Sequence, residues 1–269
     1  MNELQKVELE LLTIFIASCD KYNYKYYAVG GTLLGAVRHN GFIPWDDDID
    51  IAMPRADYDK WVKTAQDVLP ENVFLQTFES DPEFPANFAK LRNSQTTFIE
   101  KSVSGRNINH GVYIDIFPMD YYPDNKAKRA LLKIKNRIYT ARIMKEFNLD
   151  LIDYSKIKKA IYSMASVLAP KSLAETIKKR EELYSSTQKT EMLYNYSGRW
   201  GNKEAIPSKW VDELVDLDFE DIKIKCPKCY DEYLTHFYGD YMKYPPEEKR
   251  VSHHYTTVID LNRSYKEYI

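Results

Sequence analysis

The sequence predicts an α+β fold, and three stretches of it carry the prediction. "KYYAVGG" at 25–31 reads as a strand ending in a glycine turn that opens a short helix. "DIDIAM" at 48–53 reads as a strand bearing an Asp-x-Asp pair, and "VYIDIF" at 112–117 holds one acid among apolar neighbours. Helical and alternating hydrophobic periods interleave across the first 120 residues, as in a mixed sheet flanked by helices.

Residues 3–22 open the chain as an amphipathic helix, with Val7, Leu11, Leu12, Phe15, Ile16 and Cys19 at helical spacing. After the first strand, "TLLGAVRHN" (32–40) reads as a helix with Thr32 as its cap. "GFIPWDD" is a loop, and Pro54 ends the strand that follows it. "RADYDKWVKTAQDVL" reads as a helix, and residues 86–100 and 110–120 as further strands. The pattern turns helical from Lys126 to Arg180, where fifteen basic residues face four acidic ones, a net of +11. The whole chain carries −2, so the remainder stands near −13. The sequence thus divides into a catalytic core over 1–125, a basic helical subdomain over 126–190, and a segment over 191–269 that completes the cleft.

Bulk composition excludes several classes. With 269 residues, 44% hydrophobic and 29% charged, the chain can bury a sizeable core. Its small net charge offers no electrostatic case for nucleic acid. Apolar runs such as "LLTIFIA" (11–17) fall well short of the roughly 20 residues a membrane-spanning helix needs. The first ten residues carry glutamates where a signal peptide carries lysine or arginine, so a cytoplasmic protein is expected. Three cysteines make no disulfide framework. "CPKC" (226–229) supplies two zinc ligands at most, and no second pair completes a tetrahedron.

The four aspartates 46, 47, 48 and 50 pose the central question. Side chains alternate along a strand, so Asp48 and Asp50 point one way while Ile49 and Ile51 point the other. Asp46 shares their parity, and Asp47 is expected to point away as the most expendable of the four. Carboxylates on one face repel and raise one another's pKa. A divalent cation removes that cost, and oxygen ligands suit Mg²⁺ or Mn²⁺. An EF-hand loop fits poorly, because Ile51 stands where its glycine belongs and Asp57 where its glutamate does. A solvated acidic loop is the plainer reading, but Trp45 and the apolar strand beside it argue against full solvation. Gly30, Gly31 and Thr32 stand where backbone N–H groups at a helix start can meet a phosphate. Asp115, a lone acid in an apolar strand, needs a partner or a metal. Glycine turn, Asp-x-Asp strand and later single-acid strand follow the order of the nucleotidyltransferase fold of the polymerase-beta type.

"GGTLLGAVRHNGFIPWDDDIDIAMPRADYDKW", "KLRNSQTTFIE", "GVYIDIFPMD" and "YGDYMKYPPEEKR" together resemble the LicD family, which includes bacterial phosphocholine transferases and, distantly, fukutin and fukutin-related protein. The resemblance is strong over about 20–120 and moderate over about 190–255. It implies transfer of a phospho-alcohol, most commonly phosphocholine from CDP-choline, onto a sugar hydroxyl of a lipid-linked glycan, with release of CMP. It also implies metal binding at Asp48, Asp50 and Asp115. Two Mg²⁺ ions are expected, one on Asp48 and Asp50 and one shared with Asp115, which is alternatively a general base. In relatives that move ribitol phosphate the counterpart of Asp47 is not acidic.

The remaining candidates each carry two readings. Lys90 and Arg92 share a strand face and would neutralise a diphosphate, or form surface ion pairs. Arg38 would bind phosphate or the acidic loop, or complement its helix C-terminus. His253 and His254 would approach the nucleotide, or merely pack. A choline head needs aromatic faces; Trp45 and Tyr113 lie nearest the acids in sequence. The basic helices would meet anionic lipid at the inner membrane face, or simply be solvated. Alternatives for the activity are a glycosyltransferase, for which an acid pair at residue 48 comes too early, an enzyme adding a nucleoside monophosphate, and a non-enzymatic choline binder.

Overall fold

The computed structural model describes residues 1–147, 156–252 and 254–269. Helix α1 (Glu3–Tyr22) starts in a capping box, in which Asn2 Oδ1 accepts the Gln5 N–H and Gln5 Oε1 accepts the Asn2 N–H. Asn23 ends it in the left-handed region at φ 55. Its apolar stripe of Leu9, Leu12, Phe15 and Cys19 is buried. Phe15 meets the rings of Tyr26 and Trp61 edge-on at 5.3 and 5.1 Å. The Trp61 indole N–H donates to Ser18 Oγ at 2.9 Å.

The sheet that positions the site is mixed, as an α+β fold requires. Strand β1 (Tyr27–Ala28) runs antiparallel to β2 (Asp50–Pro54). Strand β2 lies parallel to β6 (Val112–Tyr121), β4 (Ala89–Asn93) antiparallel to β6, and β3 (Val73–Gln76) antiparallel on the outer edge. Between β1 and β2 sits α2 (Gly30–His39), and α3 (Arg55–Thr64) follows β2 directly. Strand β5 (Thr97–Glu100) leaves this sheet and pairs with β11 (Thr256–Asp260) near the chain's end. The basic stretch forms α4 (Lys126–Glu146), α5 (Lys156–Val167) and α6 (Leu173–Ser185). The Asn125 side chain caps α4 and Ser172 caps α6. Strands β7 (Met192–Tyr194) and β8 (Ala205–Pro207) extend β6, and the hairpin of β9 (Leu214–Phe219) and β10 (Ile222–Pro227) leads into α7 (Tyr230–Tyr238). No helix among the described residues is long and apolar enough to cross a membrane.

Several expectations shift in detail. The first strand is only two residues long, because α2 begins at Gly30. Thr32 is not a cap: Val29 holds that position without a side-chain bond, and Thr32 Oγ1 instead accepts the Asp50 N–H at 2.8 Å. The Asp-x-Asp strand begins at Asp50, and residues 46–48 form the loop before it. The stretch 86–100 breaks in two at a turn in which Asn93 O accepts the Thr96 N–H and Asn93 Oδ1 the Gln95 N–H. Strand β3 escaped the sequence reading altogether, since four residues between turns carry almost no periodic signal.

One buried ion pair locks α3 to the end of β6. Arg55 Nε and Nη2 donate to Asp120 Oδ1 and Oδ2, both at 2.7 Å, and Asp120 is 1% exposed. Removing one partner strands the other. Asp120→Ala is therefore expected to lower unfolding free energy by about 3 kcal/mol. The double variant Arg55→Leu/Asp120→Leu should lose clearly less. Urea denaturation midpoints check both.

Candidate active site

The acid loop is held in place by backbone bonds before any carboxylate is considered. The Asp46 N–H donates to Ile43 O at 2.9 Å, and Gln5 Nε2 donates to Asp46 O at 3.0 Å. Ile43 and Ile49 are buried on either side. Where the loop enters β2, Ile49 O accepts the Asp115 N–H at 2.8 Å and Asp50 O accepts the Val29 N–H at 3.1 Å. Asp50 stands opposite Asp115 in the parallel β2–β6 register, and Lys90 stands opposite Asp115 across β4 and β6. Neighbouring strands lie about 4.8 Å apart, so Asp50, Asp115 and Lys90 form one row across three strands. Lys90 Nζ reaches Asp115 Oδ1 at 2.8 Å.

Asp46, Asp48, Asp50 and Asp115 all line one cavity of about 630 Å³, together with Gly30, Gly31, Arg38 and His254. The glycines bring the start of α2 against these carboxylates. A Cβ on Gly30, whose φ is +56, would fall 2.7 Å from Asp50 Oδ2. One on Gly31 would fall 2.3 Å from Asp46 Oδ2. The positive end of the helix thus faces negative charge, the favourable sense.

Burial, and the charge of neighbouring carboxylates, raise Asp46, Asp48, Asp50 and Asp115. Burial first, then the charges of Asp48 and Asp47, push Asp46 up to about 8. Asp50 is raised well above the ordinary range by burial, Asp48 and Asp115. Burial raises Asp48 and Asp115 too, against the opposing pull of His254 and Lys90 respectively. Asp46, Asp47 and Asp48 bring one carboxylate oxygen each within 4.8 Å of one another. This oxygen-rich, negatively charged pocket fits a hard divalent cation.

Asp46, Asp48 and Asp50 line the cavity and Asp47 does not, as expected, although residues 46–48 lie in a loop and strand alternation is not the cause. Asp47 Oδ1 lies 3.1 Å from His254 Nδ1, and the Ser252 hydroxyl donates to Asp47 Oδ2. His254 Nε2 lies 3.8 Å from Asp48 Oδ2. Burial alone would lower the His254 pKa; the bond to Asp47 and the charges of Asp48 and Asp47 outweigh it and raise it. His254 therefore serves the acid loop as a countercharge. His253 lies outside the described residues.

Other candidates separate. Arg38 lines the cavity, donates to Tyr241 O at 2.8 Å, and stands 4.7 Å over the Tyr244 ring. Arg92 does not line it. At 1% exposure it donates to Gln76 Oε1 and Gly111 O, so it braces β3 and β6 rather than facing the cavity. Cys226 is buried and Cys229 half-buried, and no zinc-type ligand group forms around them among the described residues.

Sequence reasoning missed Glu8. It sits on the buried face of α1 at 1% exposure, with Oε2 unpartnered. Burial, then the charges of Asp48, Asp47, Asp46 and Asp115, raise its pKa well above 4.5. The signal was an acid at a core position of an amphipathic helix. A raised folded pKa gives stability that is present below the unfolded value and lost as pH rises through the folded one. Glu8→Gln is therefore expected to show a higher urea midpoint than the parent at pH 8, with the gap closing as pH falls towards 4.5.

Comparisons agree with the geometry. Residues 23–157 match the family model described as LicD/FKTN/FKRP, nucleotidyltransferase domain. The chain is 31% identical over 259 residues to the lipopolysaccharide cholinephosphotransferase LicD of Haemophilus influenzae, covering 94% of this chain and 96% of that protein. An uncharacterized protein of Rickettsia prowazekii is 33% identical over 126 residues, 46% of this chain and 41% of that one. One from Rickettsia typhi is 49% identical over 57 residues, 21% of this chain and 16% of that protein. The chain belongs to the LicD/FKTN/FKRP family and is an enzyme of the LicD transferase type.

Proposed function

We propose that the chain transfers phosphocholine from CDP-choline to a sugar hydroxyl of a cell-surface glycan precursor, of the lipopolysaccharide or teichoic acid kind, and releases CMP. The observation that carries this reading is the convergence of Asp46, Asp48, Asp50 and Asp115 on one cavity, with Asp50 and Asp115 in register on adjacent strands. Asp48, Asp50 and Asp115 are the residues to hold Mg²⁺ or Mn²⁺, as one ion or two, and Asp46 adjoins them. Bound there, such ions supply positive charge to a diphosphate and acidify a coordinated hydroxyl.

The side chains have separate tasks. The acceptor oxygen bonds to the phosphorus that carries choline, and the bond from that phosphorus to the CMP oxygen breaks. The hydroxyl proton passes to a carboxylate, a part we give to Asp115, which lines the cavity. Lys90 holds Asp115 from the neighbouring strand and tempers its basicity. His254 and Asp47 hold the acid loop against the carboxylates' mutual repulsion. Arg38, which lines the cavity, would meet the anionic part of the donor.

Incubation with CDP-choline, CDP-glycerol, CDP-ribitol and CDP-ethanolamine plus Mg²⁺ tests the donor. CMP is expected from CDP-choline. Release of pyrophosphate with transfer of a nucleoside monophosphate would identify the NMP-adding alternative instead. Asp48→Asn should reduce turnover by about 100-fold or more while leaving the melting temperature at or above that of the parent. Retained turnover would remove Asp48 from the mechanism.

The acceptor side has its own support. Leu131 and Ile134 on α4, Ile161, Met164 and Val167 on α5, and Leu168 beyond it are each more than half exposed. They belong to the segment 126–180 with its net charge of +11. Exposed apolar chains on basic helices suit the surface of an anionic membrane that presents a lipid-linked glycan. The chain is expected to float with vesicles containing anionic lipid and to be released by salt. Equal behaviour with neutral vesicles, or none, would retire the contact.

A further inference from the structure

The cavity is walled by several aromatic groups, and resident cations stand beside some of them. A quaternary ammonium needs an aromatic face free of competing positive charge, and a nearby anion strengthens its binding. Tyr244, which does not line the cavity, fails this condition, and Trp45 meets it no better than Trp200 does, each having one cation 5.6 Å from its ring. The Arg38 guanidinium lies 4.7 Å over Tyr244, and Arg250 lies 5.5 Å from Tyr244 and 5.6 Å from Trp45. Tyr113 fails it more severely, with Lys90 Nζ at 3.2 Å from the ring centroid and Arg92 at 4.7 Å. Phe88 has Lys90 at 5.6 Å. The two aromatics nearest the acids in sequence therefore each have a resident cation near the ring.

A second group of lining aromatics has a buried acid beside it. Trp200 meets Phe237 at 6.0 Å and Tyr238 at 5.4 Å, both nearly perpendicular at 79°. All three line the cavity, and Trp200 keeps 46% of its surface exposed. One cation is near: Lys203 Nζ stands 5.6 Å from the Trp200 ring, but it is tied to Phe237 O at 3.0 Å. Glu204 lines the same wall at 6% exposure. Its Oε1 accepts the Trp200 N–H at 2.9 Å, and no basic side chain among the described residues pairs with it. The chain can fold over this carboxyl because residue 198 is glycine: a Cβ there would lie 2.0 Å from Glu204 Cδ.

We infer that Trp200, Phe237 and Tyr238, with the Glu204 carboxylate, form the pocket that takes the quaternary ammonium head of the alcohol being moved; this rests on the phosphocholine reading above. Glu204 then gains the positive partner it lacks. Without one, burial pushes its pKa up to about 7. Tyr238 links this wall to the reacting centre. Burial first, and then the charges of Asp50, Asp46, Asp48 and Glu204, hold its hydroxyl proton in place, so it lies within electrostatic reach of both ends. The cavity thereby offers its ligand both signs of charge, Arg38 over the Tyr244 ring and, beside Trp200, an acid with no basic partner among the described residues.

The test uses the full chain and two probes. One is choline. The other is 3,3-dimethyl-1-butanol, its neutral isostere. Binding is followed by calorimetry, and turnover of CDP-choline is measured in parallel. Trp200→Ala should weaken both probes, choline by about tenfold. Glu204→Gln, which keeps shape and loses charge, should weaken choline and leave the isostere unchanged. Choline binding that is absent in the parent, indifferent to both substitutions, or lost in Trp45→Ala instead overturns the pocket. The two readings fail separately. Charge-selective choline binding without CDP-choline turnover would leave the pocket standing and remove the donor assignment. Normal turnover with choline binding indifferent to Trp200 and Glu204 would do the reverse.

Discussion

The structure depends on one unfavourable interaction, the burial of several like charges in a single small volume. Asp46, Asp48, Asp50 and Asp115 line one cavity, and Glu8 is buried beneath them. Each is raised by burial and by its neighbours. No fold gains stability from such an arrangement, so the surrounding chain is organised to hold it. The start of α2 presents its positive end, and Gly30 and Gly31 give the carboxylates room. Lys90 arrives from β4, and His254 from the far end of the sequence. Gln5 ties the loop backbone to α1. Stability surrendered at a site in this way is the usual mark of function.

The cluster also explains the topology around it. A parallel pair of strands needs a long crossover, and the chain between β2 and β6 builds α3, β3 and β4 within it. That detour delivers Lys90 beside Asp115 and Arg92 beneath Tyr113. After the basic helices the chain returns to the sheet at β7 beside the end of β6, and later β11 pairs with β5 in a separate two-stranded sheet. Strand β11 follows directly on Ser252 and His254, which clasp Asp47. The C-terminal segment is thus a structural part of the acid loop's support.

What the sequence disclosed follows from which signals are local. The glycine turn, the Asp-x-Asp pair and the single acid of "VYIDIF" are short patterns with strong physical meaning, and all three meet at one cavity. Asp47 does turn from the cavity, but its bonds to His254 and Ser252 were not legible, because those partners lie some 205 residues further along the chain. Arg92 was placed with Lys90 by strand alternation, and both do stand against the Tyr113 ring, but neither lines the cavity, which Lys90 meets only through Asp115. Glu8 and Glu204 were invisible for a different reason. An acid in a helix or a loop is ordinary, and only its lack of a partner after folding marks it. Which aromatics serve was open on the same ground, since sequence distance does not report which ring faces lie against guanidinium or ammonium groups.

That last point bears on how such a cavity selects its ligand. Aromatic residues are abundant here, 22 Tyr, 4 Trp and 11 Phe, so their number alone cannot confer choice. Choice arises from where the protein places its own cations. Arg38 and Arg250 over Tyr244 and Trp45 repel a second cation and attract phosphate oxygens. Glu204 beside Trp200 does the opposite. On the proposed assignment, a donor whose diphosphate and quaternary ammonium carry opposite charges would favour the orientation that sets its ammonium beside Glu204 and its diphosphate beside Arg38. Reversing the ligand would set cation against cation and anion against anion in a partly desolvated space, where each mismatch weighs more than it would in water. On this argument, specificity for the alcohol and orientation for the reaction come from the same few charges.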